Sequence, residues 1–156
     1  MAGKKIGVIG LGNMGGAILG GLISSGAVKR DAALGFDNDP AKYAVARKKY
    51  AIAISGLEAL AHCDIVILAV KPQNIDGVLE EISLHGGDRL YISVAAGITT
   101  ARIEKTLGAR PRVIRVMPNT PALVGEGISA LCKGRYASAK DLKAADEIFS
   151  GVGETV

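Results

Sequence analysis

Short, dense apolar runs alternate along the chain with longer stretches in which apolar residues recur every three or four positions. Ile6-Gly7-Val8-Ile9 and Ile65 to Val70 are apolar at both odd and even positions, the mark of strands buried on both faces of a parallel sheet. Leu90 to Val94 and Val113 to Val116 read the same way, and Ala33 to Asp37 makes a shorter strand. Ala51 to Ser55 is a brief extended piece. Between these lie predicted helices. One covers Asn13 to Ser25 and is closed by Gly26. A second runs from Pro40 to Tyr50, with Asp39 as its N-cap. Leu57 to His62 is short. Asn74 to Ser83 gathers Ile75, Val78, Leu79 and Ile82 on one face. Thr99 or Thr100 caps a helix that ends at Leu107, and Ser138 to Phe149 is the last. Lys71-Pro72 and Pro118-Asn119-Thr120-Pro121 break the strands before them. Gly125-Glu126-Gly127 turns into a strand from Ile128 to Cys132, and Gly151 to Val156 begins one more strand or a linker.

This alternation predicts an α/β fold, a doubly wound, mostly parallel sheet with helices on both faces. At 156 residues the chain is one domain with a real core, expected over residues 1–156. With 49% hydrophobic residues, 4% aromatics and no Trp, that core must be built from Ala, Ile, Leu and Val. The net charge of +4 comes without a long Lys/Arg tract. Arg47-Lys48-Lys49 reads as a solvated helix end, so no nucleic-acid partner is expected. Cys63, Cys132, His62 and His85 form no ligand spacing. The cysteines read as reduced core residues of a cytoplasmic protein, and no metal is expected. Lys4-Lys5 and the apolar stretch to Ile23 have the look of a leader, and Gly12, Gly16 and Gly20 that of a membrane-helix contact face. Asn13 and the dense glycines split this stretch into pieces too short to span a bilayer, so no membrane partner is expected.

Gly10, Gly12 and Gly15 stand at G-x-G-x-x-G spacing between a predicted strand and a predicted helix. In that context the motif is a dinucleotide fingerprint of the Rossmann type. Gly10 makes the tight turn, Gly12 leaves room for a pyrophosphate, and Gly15 lets helix and strand pack closely. The first turn at Asn13 and Met14 offers free N–H groups to the phosphates. Ligands in such sheets lie beyond the carboxyl ends of the strands. The candidate cofactor residues there are Gly10, Gly12, Asn13, Met14, Gly15, Asp37, Asn38, Ala69, Val70, Lys71, Pro72, Ala95, Ala96, Gly97, Pro118 and Asn119. Asp37 lies where an acidic side chain takes the ribose hydroxyls of NADH and repels the 2′-phosphate of NADPH. Asn38, Lys42 and Arg47 keep NADPH open. Ala95-Ala96-Gly97 offers the close backbone approach a nicotinamide ring needs. Asn119 and Thr120, held between prolines, are the candidate substrate contacts. No acid–base pair is visible, so no catalytic residue is named.

Gly10-Leu11-Gly12-Asn13-Met14-Gly15, Ala69-Val70-Lys71-Pro72, Ser93 to Ile98 and Arg115 to Ala122 occur in an order that closely resembles the N-terminal domain of pyrroline-5-carboxylate reductase. The opening fingerprint is shared with 3-hydroxyacid dehydrogenases and coenzyme F420-dependent NADP reductases. The Val-Lys-Pro and Met-Pro-Asn-Thr-Pro elements are more specific. The resemblance implies reduction of 1-pyrroline-5-carboxylate to proline with NADPH or NADH, in proline biosynthesis. It also implies a C-terminal helical domain, absent from this chain, that builds a homo-oligomer and completes the substrate site. Another imine or 3-hydroxyacid reductase of the same superfamily, or a non-catalytic dinucleotide-binding module, is the alternative.

Overall fold

The computed structural model describes residues 3–50, 52–53 and 56–156. Its eight strands are β1 (Ile6–Ile9), β2 (Ala33–Phe36), β3 (Ile52–Ala53), β4 (Ile65–Leu68), β5 (Leu90–Ser93), β6 (Arg112–Pro118), β7 (Gly127–Lys133) and β8 (Gly153–Thr155). They form one sheet in the order β3-β2-β1-β4-β5-β6-β7-β8. The pairs from β3 to β6 are parallel, β7 runs antiparallel to β6, and β8 is parallel to β7. Five helices accompany them: α1 (Asn13–Ser24), α2 (Pro40–Lys49), α3 (Ile75–Ser83), α4 (Thr100–Leu107) and α5 (Ala139–Phe149). Of the extended piece expected at 51–55, Ile52 and Ala53 pair with β2, and the rest lies outside the described residues.

Two apolar layers sandwich the sheet. α1, α2 and α5 cover one face through Ile18, Leu19, Leu22, Ala46, Ile148 and Phe149. The 57–62 turn, α3 and α4 cover the other through Leu57, Leu60, Ile75, Leu79, Ile82 and Ile103. Every residue of β1, β4 and β5 is buried, as their two-sided apolar runs require. Gly20 and Gly21 of α1 serve packing inside the domain. A Cβ on Gly20 would meet the Tyr50 ring at 3.2 Å, and one on Gly21 would meet Val152 at 2.6 Å. No described helix is long and apolar enough to cross a membrane.

The Asp39 cap stands where the sequence places it, Thr99 and not Thr100 caps α4, and Ser138, expected as the first residue of the last helix, is its cap. Asp39 accepts from Ala41 N–H at 2.9 Å, Thr99 from Arg102 N–H at 3.2 Å, and Ser138 from Asp141 N–H at 3.2 Å. Two expectations are corrected. β6 does not stop at Val116 but continues through Met117 and Pro118. Antiparallel β7 pairs with it there, setting Met117 against Ala130 and Pro118 against Ser129. Cys132 is not a core residue: it is exposed on β7, whereas Cys63 is buried.

Asp141 ties α5 to the foot of the sheet. Its carboxylate accepts from Ser138 N–H at 2.8 Å and from the Arg112 guanidinium at 2.6 Å, and Arg112 also donates to Asp88 at 2.9 Å. Burial alone would raise this carboxyl. The Ser138 hydrogen bonds and the Arg112 cation outweigh burial and hold it below the usual carboxylate range. A group depressed in the folded state contributes stability that is present above its unfolded value, about 3.9, and lost as pH falls through its folded value. Asp141→Ala is therefore expected to cost about 2 kcal/mol at neutral pH. In urea unfolding series, its deficit against the unaltered chain should narrow as pH drops below about 4.

Candidate functional site

Sheet register sets the site. Phe36, Ile9, Leu68, Ser93 and Arg115 are level with one another across β2, β1, β4, β5 and β6. One step further on, the chain leaves the first four of these strands at Asp37, Gly10, Ala69 and Val94. The candidate segments consequently share one edge. In order they are Asp37–Asn38, Gly10–Gly15, Ala69–Pro72, Ala95–Gly97 and Pro118–Thr120. Neighbouring strands stand about 4.8 Å apart, so the row extends about 19 Å. Within it, between β1 and β4, the strand order reverses and crossovers part to opposite faces, leaving a crevice.

The three fingerprint glycines have three different reasons to lack a side chain. Gly10 has φ +91°, and a Cβ there would lie 2.6 Å from the Ala69 carbonyl oxygen. A Cβ on Gly15 would lie 1.8 Å from the Gly10 carbonyl oxygen, so α1 rests directly on the turn. Gly12 differs. Its φ of −68° and ψ of −165° suit any residue, and a Cβ would meet no protein atom within 4 Å. Gly12 is also the N-cap of α1 and has no side chain to satisfy the first-turn N–H groups, and no acidic residue lies in that turn. The space is open, the backbone donors at Asn13 and Met14 are uncapped, and the helix dipole favours an anion there. These residues fit a pyrophosphate.

At the β2 end, Asp37 accepts from Leu11 N–H at 2.7 Å and from Asp39 N–H at 2.9 Å. The residue expected to contact a ribose thus also holds the glycine loop, a bond that spacing along the chain does not reveal. Asn38 beside it is exposed. At the β4 end, Ala69 N–H stays on the sheet, donating to Ile9 at 2.8 Å, while exposed Lys71 and Pro72 open a single helical turn over Pro72–Asn74.

After β5, the hydroxyl of buried Ser93 accepts from Ala95 N–H at 3.3 Å and folds the loop back. Ala95 turns into the core. Ala96 and Gly97 face outward, Gly97 at φ +72°. Because β6 runs past the end of β5, Pro118 and Asn119 extend beyond the edge at which β5 gives way to the 94–99 loop. The side-chain oxygen of Asn119 accepts from Ile128 N–H at 2.9 Å. That bond engages the amide oxygen and keeps the NH2 group as a donor. Thr120 is exposed and starts the 120–124 turn.

Few titratable groups approach this edge. Cys63 sits at the opposite end of β4, and burial pushes its thiol up to about 11, which makes it a poor nucleophile. Among the described residues no three His, Cys, Asp or Glu side chains gather as a metal set. The arrangement suits binding and orienting an extended anionic ligand, with a flat group at the β5–β6 end.

Comparison with known proteins points the same way. The pattern of the NADP oxidoreductase coenzyme F420-dependent family matches residues 5–97. Pyrroline-5-carboxylate reductase of Escherichia coli (strain K12) is 41% identical over 154 residues, which is 97% of this chain and 57% of the relative. The Plasmodium falciparum pyrroline carboxylate reductase structure with NADP bound superposes with a TM-score of 0.89 at 31% identity, over 100% of this chain and 58% of that one. The reductase from Coxiella burnetii gives a TM-score of 0.92 at 32% identity, over 98% and 58%. The chain therefore spans a little under three fifths of the length of these relatives.

Proposed function

This chain belongs to the NADP oxidoreductase coenzyme F420-dependent family, and from that premise we propose that it is the nicotinamide-dinucleotide-binding part of a reductase converting 1-pyrroline-5-carboxylate to L-proline. The observation that carries the proposal is Gly12, a glycine that no packing or backbone requirement of the chain explains and that stands over uncapped donors. The likeness to reductases over nearly the whole chain supports the choice of reaction. In this reading residues 1–156 are one cofactor domain. The helical part that the resembling family uses to build a homo-oligomer and complete its substrate site is not among them. The proposed setting is cytoplasmic proline biosynthesis.

The cofactor, when bound, supplies the hydride. The chain's own residues do the rest. Asn13 and Met14 N–H groups take the pyrophosphate over Gly12, Asp37 takes the adenosine ribose, and Asn38 lies beside it. Val70, Lys71 and Pro72 line the path along the β4 end. Ala95, Ala96 and Gly97 make the floor for the nicotinamide, with Pro118 and Asn119 as its wall. The NH2 group of Asn119 and the Thr120 hydroxyl orient the substrate. Fluorescence titration with NADH and NADPH tests the proposal: saturable binding of at least one is expected, and binding of neither overturns it.

Within this reading, NADH binds at least as well as NADPH. A carboxylate at the 2′ position disfavours a phosphate there by about 1–3 kcal/mol. Asp37→Ser should shift the ratio of the two dissociation constants towards NADPH by that amount. A preference of the unaltered chain for NADPH of about tenfold or more, equal to about 1.4 kcal/mol, would show that Asp37 does not face the ribose.

A further inference from the structure

Two successive N–H groups of the fingerprint loop are held by the end of β2. Gly10 donates to the Phe36 carbonyl at 2.8 Å, and Leu11 donates to the Asp37 carboxylate at 2.7 Å. The other carboxylate oxygen of Asp37 accepts from Asp39 N–H at 2.9 Å and fixes the side chain's own direction. Leu11 completes the attachment. Its side chain is buried, and it lies so close over Gly35 of β2 that a Cβ there would stand 3.0 Å from it. Gly12 follows at once, so whatever holds Leu11 sets where the Gly12 backbone and the α1 donors stand.

We infer that Asp37 is a positioning residue for the glycine loop, not only a reader of the ribose. It clamps the Leu11 amide and thereby preorganises the anion site of both nicotinamide dinucleotides. The inference rests on the dinucleotide reading above and deepens it. A carboxylate oxygen that accepts one backbone N–H keeps a lone pair for a second donor, so clamp and ribose contact coexist. They separate on mutation. If Asp37 only met the ribose, removing its charge in any way would help NADPH. If it also clamps the loop, a replacement that keeps an acceptor must behave differently from one that does not.

The test compares Asp37→Ala with Asp37→Asn, whose one side-chain oxygen can still accept from Leu11 while its NH2 group gives up the bond from Asp39 N–H. NADH and NADPH affinities are measured by fluorescence, fold by circular dichroism, and Leu11 amide exchange by 1H–15N spectra of the unliganded chains. The clamp predicts that Asp37→Ala weakens both dinucleotides about tenfold or more with its melting transition retained. Asp37→Asn holds NADPH binding at or above that of the unaltered chain. The Leu11 amide is protected in the unaltered chain and Asp37→Asn, and exchanges fast in Asp37→Ala. Equal NADPH affinity in the Ala and Asn variants, or equal Leu11 exchange in the unaltered chain and Asp37→Ala, overturns the clamp while leaving the dinucleotide reading intact. Failure of the unaltered chain to bind either dinucleotide overturns that reading, and the clamp's part in binding with it.

Discussion

Gly12→Val abolishes binding of NADH and NADPH and leaves the fold standing. Valine at this position meets no protein atom where its Cβ would be, and the backbone already has dihedrals that valine adopts. The cost to the domain is the poorer N-cap, about 1 kcal/mol at most, which lowers the melting temperature by about 2–4 °C in a chain of this size. The cost to the ligand is much larger. Two methyl groups would occupy the open space over the uncapped N–H groups of α1, where a pyrophosphate within hydrogen-bond distance would have to sit. A loss of about a hundredfold or more in affinity, about 2.7 kcal/mol, is expected.

Gly15→Ala is the contrasting control. Its new Cβ would stand 1.8 Å from the Gly10 carbonyl oxygen, so α1 must move off the turn and the fold itself must suffer. Fluorescence titration beside thermal melts separates the two behaviours. Unchanged affinity in Gly12→Val would remove the fingerprint assignment.

The same glycines show what could be read from the chain and what could not. Spacing and context identify Gly10, Gly12 and Gly15 because the strand, turn and helix that carry them are consecutive, although the group that excludes a Cβ at Gly10 is the distant Ala69 carbonyl and nothing in the chain excludes one at Gly12. The two-sided apolar runs of β1, β4 and β5 are legible because both faces of a central parallel strand are covered. The Asp39 cap is legible because capping is local, whereas Thr99 and Thr100 are adjacent hydroxyls that the sequence alone does not separate. β6 is different. Nothing in Arg115-Val116-Met117-Pro118 says that a later strand will return antiparallel and carry the ladder on past β5. Proline is tolerated there because β5 has already ended and no partner on that side needs an N–H. Cys132 looked like core because cysteines are commonly buried, but it lies on the bare face of that same late pair. The Leu11–Asp37 bond joins residues 26 apart that only the β1–β2 pairing brings together.

This chain alone is expected to bind cofactor but not to reduce pyrroline-5-carboxylate at a useful rate. Hydride transfer needs the acceptor carbon held about 3–3.5 Å from the donor and in line with it, and correct holding accounts for about 7–11 kcal/mol of barrier lowering. Residues 94–99 and 116–124, which surround the expected nicotinamide end, contain no Asp, Glu, His, Lys or Arg, and Arg115, just before the second segment, donates from its guanidinium to Met117 Sδ at 3.4 Å. Protonating the imine nitrogen and gripping the substrate carboxylate both call for such groups, or for a set of converging donors. Asn119 is already spent in part on Ile128 N–H, and Thr120 is exposed. These two can define one side of a substrate, and exposed Ala96 and Gly97 carry no polar side chain to grip the other. The relatives are longer by about two fifths of their length, enough for a second set of elements to close that side. The experiment follows the loss of nicotinamide absorbance with the imine in excess. It compares this chain with the same chain fused after Val156 to the C-terminal portion of the Escherichia coli relative. Turnover by the short chain is expected to lie at least about a thousandfold below that of the fusion. Equal turnover would mean that the proton donor and the carboxylate grip lie within these 156 residues, with Asn119 and Thr120 the first side chains to replace in search of them.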